Sequence, residues 1–287
     1  MRVLVTGASG FVGRALVEEL RHGERAYDVH PLERRDGDLA EEGVAERAIA
    51  AAAPEVVVHS AARIGVVRCD DEPLLALRSN VISTIHVARA CTAHGVRLAY
   101  VSTADVYGVA AVADEETPLA PESLYALTKL WGEQAAQLYA PADLVVLRLA
   151  NPYGPGVEPG EGKGALPTML HQAEKGERIP AFSGEARTWC WIGDVARAMR
   201  IVLESREGGV FNVGSDADPV TLLDAARIVC AVTGASPDLV VEVEPPPGRV
   251  TPSISVARLR GLGWRPEVGL EEGLRLLLEA WHAAPAA

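Results

Sequence analysis

The chain has 287 residues, enough for one large domain or two interlocked ones around a substantial core. Hydrophobic residues make up 48% and charged residues 23%, the balance of a folded soluble protein rather than a disordered or membrane one. The net charge of −12 opposes broad contact with nucleic-acid phosphates, so neither a nucleic-acid nor a membrane partner is expected, and only a local basic pocket for a small phosphate stays open.

The amino terminus, MRVLVTGASG, reads as a strand entering a glycine turn and not as a signal peptide or membrane anchor. Cys69, Cys91, Cys190 and Cys230 lie far apart without a C-x-x-C pair, which suggests neither a zinc site nor a disulfide framework and fits a reducing cytoplasm. From the start, short β-branched runs alternate with longer amphipathic ones. RVLVTG precedes a helix from about Phe11, DVHPLE precedes the alanine-rich stretch after Glu41, and EVVVHSA precedes a helix from about Pro73 to Ala93. RLAYVST, a helix through Tyr125 and LVVLRLA complete the series. Strand and helix alternating at this spacing predict right-handed crossovers and a doubly wound parallel α/β sheet, a Rossmann fold. Beyond Asn151 comes the Gly/Pro-rich loop NPYGPGVEPGEGKG, then ERIPAF, a helix from Asp194, GGVFNVGS, a helix from Thr221 to Thr233, LVVEV, the turn EPPPGR and a closing helix after Leu270. The expected organisation is a dinucleotide-binding domain over 1–154 with a return segment near 186–214. A smaller mixed α/β substrate domain over 155–287 follows it.

Three groups of residues carry chemistry. In TGASGFVG, Gly7, Gly10 and Gly13 stand where the first strand hands over to a helix, a turn that lets backbone approach a pyrophosphate and helix amides hold its charge. Glu33, 20 residues after Gly13 at the end of the second strand, is placed for the adenosine ribose hydroxyls, while Arg34 and Arg35 directly after it suit the 2′-phosphate of NADP. The choice between NAD and NADP is open on these residues. Tyr125 and Lys129 lie one helical turn apart on one face. With six tyrosines and three lysines in the chain, random placement at that spacing gives only about 0.06 such pairs. A phenol with a pKa near 10 becomes a useful base only when nearby positive charge stabilises the phenolate, and lysine and an oxidised nicotinamide are the expected sources. Thr103, where RLAYVST ends, sits at the carboxyl edge at which parallel sheets bind ligands, and its hydroxyl suits a substrate oxygen that gains or loses a proton.

With HSAA at His59 to Ala62, these signals resemble the extended short-chain dehydrogenase/reductase family, the sugar-nucleotide epimerases and reductases. TGASGFVG, HSAA, STADVYG, Tyr125-x-x-x-Lys129 and NPYGP occur in the family's order, and the resemblance runs from Met1 to about Pro266. It implies that Thr103, Tyr125 and Lys129 are the catalytic hydroxyl, acid/base and lysine. It also implies that Phe11, Val12 and Gly13 of the glycine motif, Asp38 and Leu39 of GDL, and Ala61 and Ala62 line the dinucleotide, with Asp38 facing the adenine. Asn151 and Arg187 would hold a nucleotide-sugar diphosphate, and Arg249 is a further, more divergent candidate for it. An ordinary salt bridge is the competing reading of Arg187. A homodimer is implied through the helices around Leu74 to Ala93 and Ser123 to Tyr139.

Departures from the family pattern narrow the reaction. Dehydratases read T-D-E after the fourth strand, whereas Thr103 is followed here by Ala104 and Asp105, so the dehydratase acid is missing. Asp105 reads first as a solvated loop acid and second as a helper in proton transfer. The short link between DVHPLE and GDL resembles 4-keto-sugar reductases, as do SAARIGVVRCDDEP and RVTPSISVARL, while NPYGPG and RTWCWIGDVARA resemble epimerases. The leading expectation is an NAD(P)-dependent 4-keto-sugar-nucleotide reductase, the alternative a nucleotide-sugar 4-epimerase with tightly bound NAD. A non-catalytic dinucleotide-binding sensor is the reading from outside enzymology.

Overall fold

The protein is described here by a computed structural model that covers all residues except 24, 26, 111, 158–163, 245–252 and 284–287. Its first strands and helices are β1 (Arg2–Thr6), α1 (Phe11–His22), β2 (Asp28–Leu32), α2 (Val44–Ala52) and β3 (Val56–His59). Then come α3 (Ser83–His94), β4 (Arg97–Thr103), α4 (Leu124–Tyr139) and β5 (Leu144–Leu149). The later elements are α5 (Ala165–Glu174), α6 (Ile192–Ser205), β6 (Gly209–Val213), α7 (Leu222–Thr233) and α8 (Leu270–Ala283).

Six strands form one parallel sheet in the order β6-β5-β4-β3-β1-β2. Every residue of β3, β4 and β5 is buried, so Val56–Val58 and Leu144–Leu147 read as unbroken apolar runs rather than as alternating ones, with Arg97, Ser102, Thr103 and Arg148 among the buried polar exceptions. Full burial of a side chain such as Phe211 or Leu147 contributes about 2 kcal/mol each. The register sets Thr6 beside both Leu32 and His59, and Thr103 beside Leu149. The carboxyl ends of these strands therefore form one edge. From β1 the chain steps outward to β2, then returns to the other side of β1 as β3, and this reversal opens the crevice where such sheets take ligands.

One expected element differs. The single helix anticipated from Pro73 to Ala93 consists of a short helix at Pro73–Leu77, a π-helical turn at Arg78–Ile82, and α3. Asn80, at the centre of that turn, is 1% exposed, and its amide bonds outside the helix: Nδ2 donates to the Arg63 carbonyl at 3.0 Å and to Thr128 Oγ1 at 2.9 Å, while Oδ1 accepts from the Arg63 N–H at 2.7 Å. The Ser83 and Thr84 hydroxyls donate to carbonyls four residues back. Side chains drawn into tertiary bonds in this way accompany a one-residue widening of the helix.

A separate apolar cluster, built around Tyr153, Leu166, Leu170, Ile179, Val229 and Leu274, joins α5, α7 and α8 to the parallel pair Ile179–Phe182 and Val240–Val243. Between these parts, α6 and β6 return to the first sheet, where Arg200 of α6 pairs with Glu19 of α1 at 2.7 Å. Among the described residues no helix is long and apolar enough to cross a membrane. The turn EPPPGR and Arg249 lie outside the described residues.

Candidate active site

The site begins at the turn between β1 and α1. Gly7 has φ +66°, and a Cβ there would stand 2.7 Å from the Ala61 backbone; one on Gly13 would stand 2.2 Å from the Gly7 carbonyl oxygen. Only glycines allow the turn, the helix and the exit of β3 to pack this closely. No side chain caps α1 at Gly10 and no acid lies in its first turn, a helix start whose first-turn amides at Phe11 and Val12 are compatible with an anion. The Thr6 Oγ1 accepts from the Ala61 N–H at 3.2 Å, and Ser60 donates to the Thr6 carbonyl at 2.6 Å, which ties Ala61 and Ala62 to the glycine turn.

Glu33 directly follows β2 and opens a short 3-10 turn at Arg34–Asp36. Its carboxylate accepts the Asp36 N–H, its own N–H donates to Asp36 Oδ2 at 2.9 Å, and Arg35 Nε approaches it to 3.2 Å. Asp38 accepts the Ala40 N–H at 2.9 Å and two bonds from Arg78 at 3.3 Å. The Ala40 amide first, and Arg78 after it, hold its carboxyl below the usual range, with the more distant Arg34 adding to the effect. The Leu39 side chain is buried in the core beneath, and the Leu39 carbonyl accepts from His86 Nδ1 at 3.1 Å. The glycine turn, Glu33, Asp38, Ala61 and Ala62 all follow the carboxyl ends of β1, β2 and β3, and their donors, acceptors and close-packed backbone fit a dinucleotide.

At the end of β4, Thr103 is 7% exposed. Its Oγ1 accepts the Asp105 N–H at 3.2 Å, and its hydroxyl lies close enough to the Tyr125 hydroxyl and the Asp105 carboxylate to act on both electrostatically. Tyr125 sits in the first turn of α4, which Ser123 caps by accepting the Ala126 N–H at 3.1 Å. One turn on, Lys129 is 3% exposed with Nζ 4.3 Å from the centre of the Tyr100 ring, a contact that keeps a buried ammonium partly compensated. Burial pushes Lys129 down to about 7, against an opposing pull from Glu133. His59, which shares this interior and bonds Thr6 at 2.8 Å through Nδ1, is driven down to about 3 by burial first and then by Lys129, so it stays neutral.

One expectation, that for Asp105, is corrected here. The phenol of Tyr125 is raised rather than lowered by the protein's own groups, through burial first and then the charge of Asp105; the Thr103 hydrogen bond works in the opposite direction. Burial also lowers Lys129, which weakens it as a source of charge for the phenolate, and the oxidised nicotinamide is the other expected source. Asp105 is not a solvated loop acid: burial raises its carboxyl, while Arg187 and Thr103 pull it back.

Behind α4, Glu133 and Arg148 form a buried two-bond ion pair at 3.1 and 2.8 Å. Arg148 also donates to the Tyr107 hydroxyl at 2.9 Å, which in turn donates to Asn212 at 2.7 Å. Sequence reasoning passed over Asn80, Glu133 and Arg148. The available signal was their polarity at positions where the period predicts core.

Across the crevice, Asn151 takes φ +42° and donates through Nδ2 to the Thr188 carbonyl at 3.0 Å. Asn151 and Arg187 line one cavity with Gly164, Leu166, Pro167 and Trp189. Arg187 also pairs with Glu185, so the salt bridge anticipated as its competing role is present on the cavity wall itself. Thr103, Tyr125 and Asp105 come together, and Arg187 lies within electrostatic reach of Asp105.

A chain with a glycine turn at the first crossover, a hydroxyl at the end of the fourth strand and a Tyr-Lys pair on the next helix has the build of a nicotinamide-dependent enzyme. Residues 3–214 match the model of the NAD dependent epimerase/dehydratase family, and the chain belongs to that family. It is 32% identical to a UDP-glucose 4-epimerase of Mycolicibacterium smegmatis, over 97% of this chain and 98% of that one. A dTDP-4-dehydrorhamnose reductase of the same organism is 30% identical over 83% of this chain and 71% of its own, and dTDP-glucose 4,6-dehydratases also stand among the relatives. Among solved structures, the UDP-glucose 4-epimerase of Thermus thermophilus in complex with NAD superposes with a TM-score of 0.87 at 30% identity, covering 99% of this chain and 100% of that one.

Proposed function

We propose that the chain is a nucleotide-sugar 4-epimerase that works by reversible oxidation at C4 of the sugar, with Thr103, Tyr125 and Lys129 as catalytic residues. The observation that carries this reading is the convergence of the Thr103 and Tyr125 hydroxyls at the carboxyl edge of the sheet, one turn from the buried Lys129. A bound nicotinamide dinucleotide would take up the C4 hydride and return it. Tyr125 accepts the proton of the C4 hydroxyl as the ketone forms and gives it back as the ketone is reduced. Thr103 hydrogen-bonds the same oxygen while its charge changes, and Lys129 orients the dinucleotide ribose and favours the phenolate whenever it is charged. Asn151 and Arg187 grip the diphosphate, with Arg249 assigned to the same task by family likeness alone.

Two points support the epimerase over a reductase. The compact link from β2 to α2, which favours a reductase on sequence alone, loses its force because the chain spans the whole of the Thermus epimerase. Glu33, pinned by Asp36 and Arg35 at the end of β2, offers a carboxylate to ribose hydroxyls, which suits NAD. The raised phenol of Tyr125 favours the second reading, reduction of a 4-keto sugar nucleotide, because a protonated tyrosine is ready to donate. The 4,6-dehydratase reaction is disfavoured by Ala104, which is 1% exposed and stands where those enzymes carry an acid.

The test is a screen of uridine and thymidine diphosphate hexoses with NADH, NADPH, NAD or no added cofactor. Nicotinamide absorbance and sugar configuration are followed together. Inversion at C4 without net change in cofactor is expected; stoichiometric consumption of NADH or NADPH would assign the reductase instead. Nucleotide binding with no turnover of any sugar would leave the sensor.

A further inference from the structure

We propose that Glu185 is a positioning residue: it fixes Arg187 by one edge of the guanidinium so that the other edge is presented to the diphosphate of the substrate. This inference rests on the reading of Arg187 as a diphosphate ligand given above.

A guanidinium has two hydrogen-bonding edges, one formed by Nε with a terminal nitrogen and one by the two terminal nitrogens. Glu185 Oε1 accepts from Arg187 Nε at 2.8 Å and from Nη2, and so occupies the first edge alone. Among the described residues Nη1 makes no hydrogen bond, and Arg187 forms part of the walls of two cavities, one with Asn151 and Trp189, the other with Ser215 and Asp218. Two residues apart in extended backbone, Glu185 and Arg187 lie on the same side. The backbone that carries them is itself pinned: Ala186 and Arg187 pair antiparallel with Thr221 and Val220, and the Leu222 N–H donates to the Glu185 carbonyl at 2.9 Å.

Burial separates this pair from an ordinary surface salt bridge. The Glu185 side chain is 7% exposed and that of Arg187 14%, and among the described residues the enclosed Glu185 Oε2 has no hydrogen-bond partner. Burying a carboxylate with one oxygen unmatched is a poor way to stabilise a fold, because the desolvation cost is met by bonds to a single oxygen. The arrangement suits preorganisation, since an arginine already held in place loses less freedom when an anion arrives. It also makes aim more important than charge: Glu185 and the nearby Asp105 offset the positive charge of Arg187, so attraction for the diphosphate rests on directed N–H donors.

The experiment measures binding of uridine and thymidine diphosphates by calorimetry, together with KM and kcat for an accepted nucleotide sugar and binding of NAD. Wild type is compared with Glu185→Ala, Glu185→Gln and Arg187→Lys. Glu185→Ala is expected to weaken diphosphate binding roughly tenfold, as loss of a charged hydrogen bond does, and to raise KM in parallel with little change in kcat or NAD binding. Glu185→Gln, whose amide oxygen still accepts from Nε, should restore most of the affinity. Should Glu185→Ala fail to fold, Glu185→Asp, which draws the carboxylate back by one methylene, takes its place with the same expectation. Wild-type affinity in Glu185→Ala or Glu185→Asp beside a weakened Arg187→Lys overturns the role of Glu185 alone, as does a Glu185→Gln no better than Glu185→Ala. If wild type binds neither diphosphate and Arg187→Lys changes nothing, the functional reading falls and this inference with it.

Discussion

Lys129 is one of three lysines in the chain, and its burial gives it a job that arginine cannot take over. Its Nζ sits over the Tyr100 ring as a compact group, whereas a guanidinium is wider and planar. Lys129→Arg is therefore expected to cut turnover by about tenfold or more, and Tyr125→Phe by about a hundredfold or more with NAD binding kept, in steady-state assays beside a binding titration. Asp105 gives a second test through stability. Its folded-state carboxyl is raised, so stability is fully present below the ordinary aspartate range and is lost as pH rises through the raised value. Asp105→Asn should thus melt higher than wild type near neutral pH and converge with it in acid; a variant that melts lower at neutral pH would show that the charge is compensated there. The Tyr-Lys spacing and the glycine turn were legible because each shows in a few consecutive residues. The burial of Asp105 and the bond from Glu185 to Arg187 were not, since both depend on which strands and loops close over them.

At the scale of elements, α4 is held from behind by a polar network that no periodicity announces. Glu133 and Arg148 are 6% and 4% exposed and bond each other at two points, and Tyr107 and Asn212 extend the chain of bonds to β6. Arg148→Ala strands a buried carboxylate and is expected to cost about 3–5 kcal/mol in urea denaturation, while Glu133→Gln with Arg148→Met together should recover part of that loss. Additive losses would show that the two side chains act separately. The central strands β3 and β5 could be read directly because two-sided burial writes itself as apolar runs, whereas β2, with no fully buried residue, was legible from its place in the alternation of strand and helix. The π-turn at Arg78–Ile82 could not, since Asn80 departs from helical bonding only in order to reach Arg63 and Thr128, which lie 17 and 48 residues away.

For the whole molecule, the doubly wound parallel sheet was legible from the alternation of strand and helix, though not the place where its strand order reverses, and the later part was less so. Its short strands pair across long separations, as Ile179–Phe182 does with Val240–Val243. We propose the boundary near residue 154, with 186–214 returning to the first part, and a cytoplasmic homodimer. Leu74 at 79% and Leu138 at 71% exposure, with Ile82 and Trp131 partly exposed, lie on the helical segments named for that contact. Light scattering behind gel filtration should give twice the chain mass, and Leu138→Glu should shift it towards the monomer; a monomeric wild type would refute the dimer.

The most direct measurement of C4 chemistry at Tyr125 follows deuterium placed at C4 of an accepted nucleotide sugar. The expected product has the opposite C4 configuration, keeps the deuterium at C4, and forms slowly in Tyr125→Phe. Loss of the label to water, or undiminished conversion by Tyr125→Phe, would contradict it.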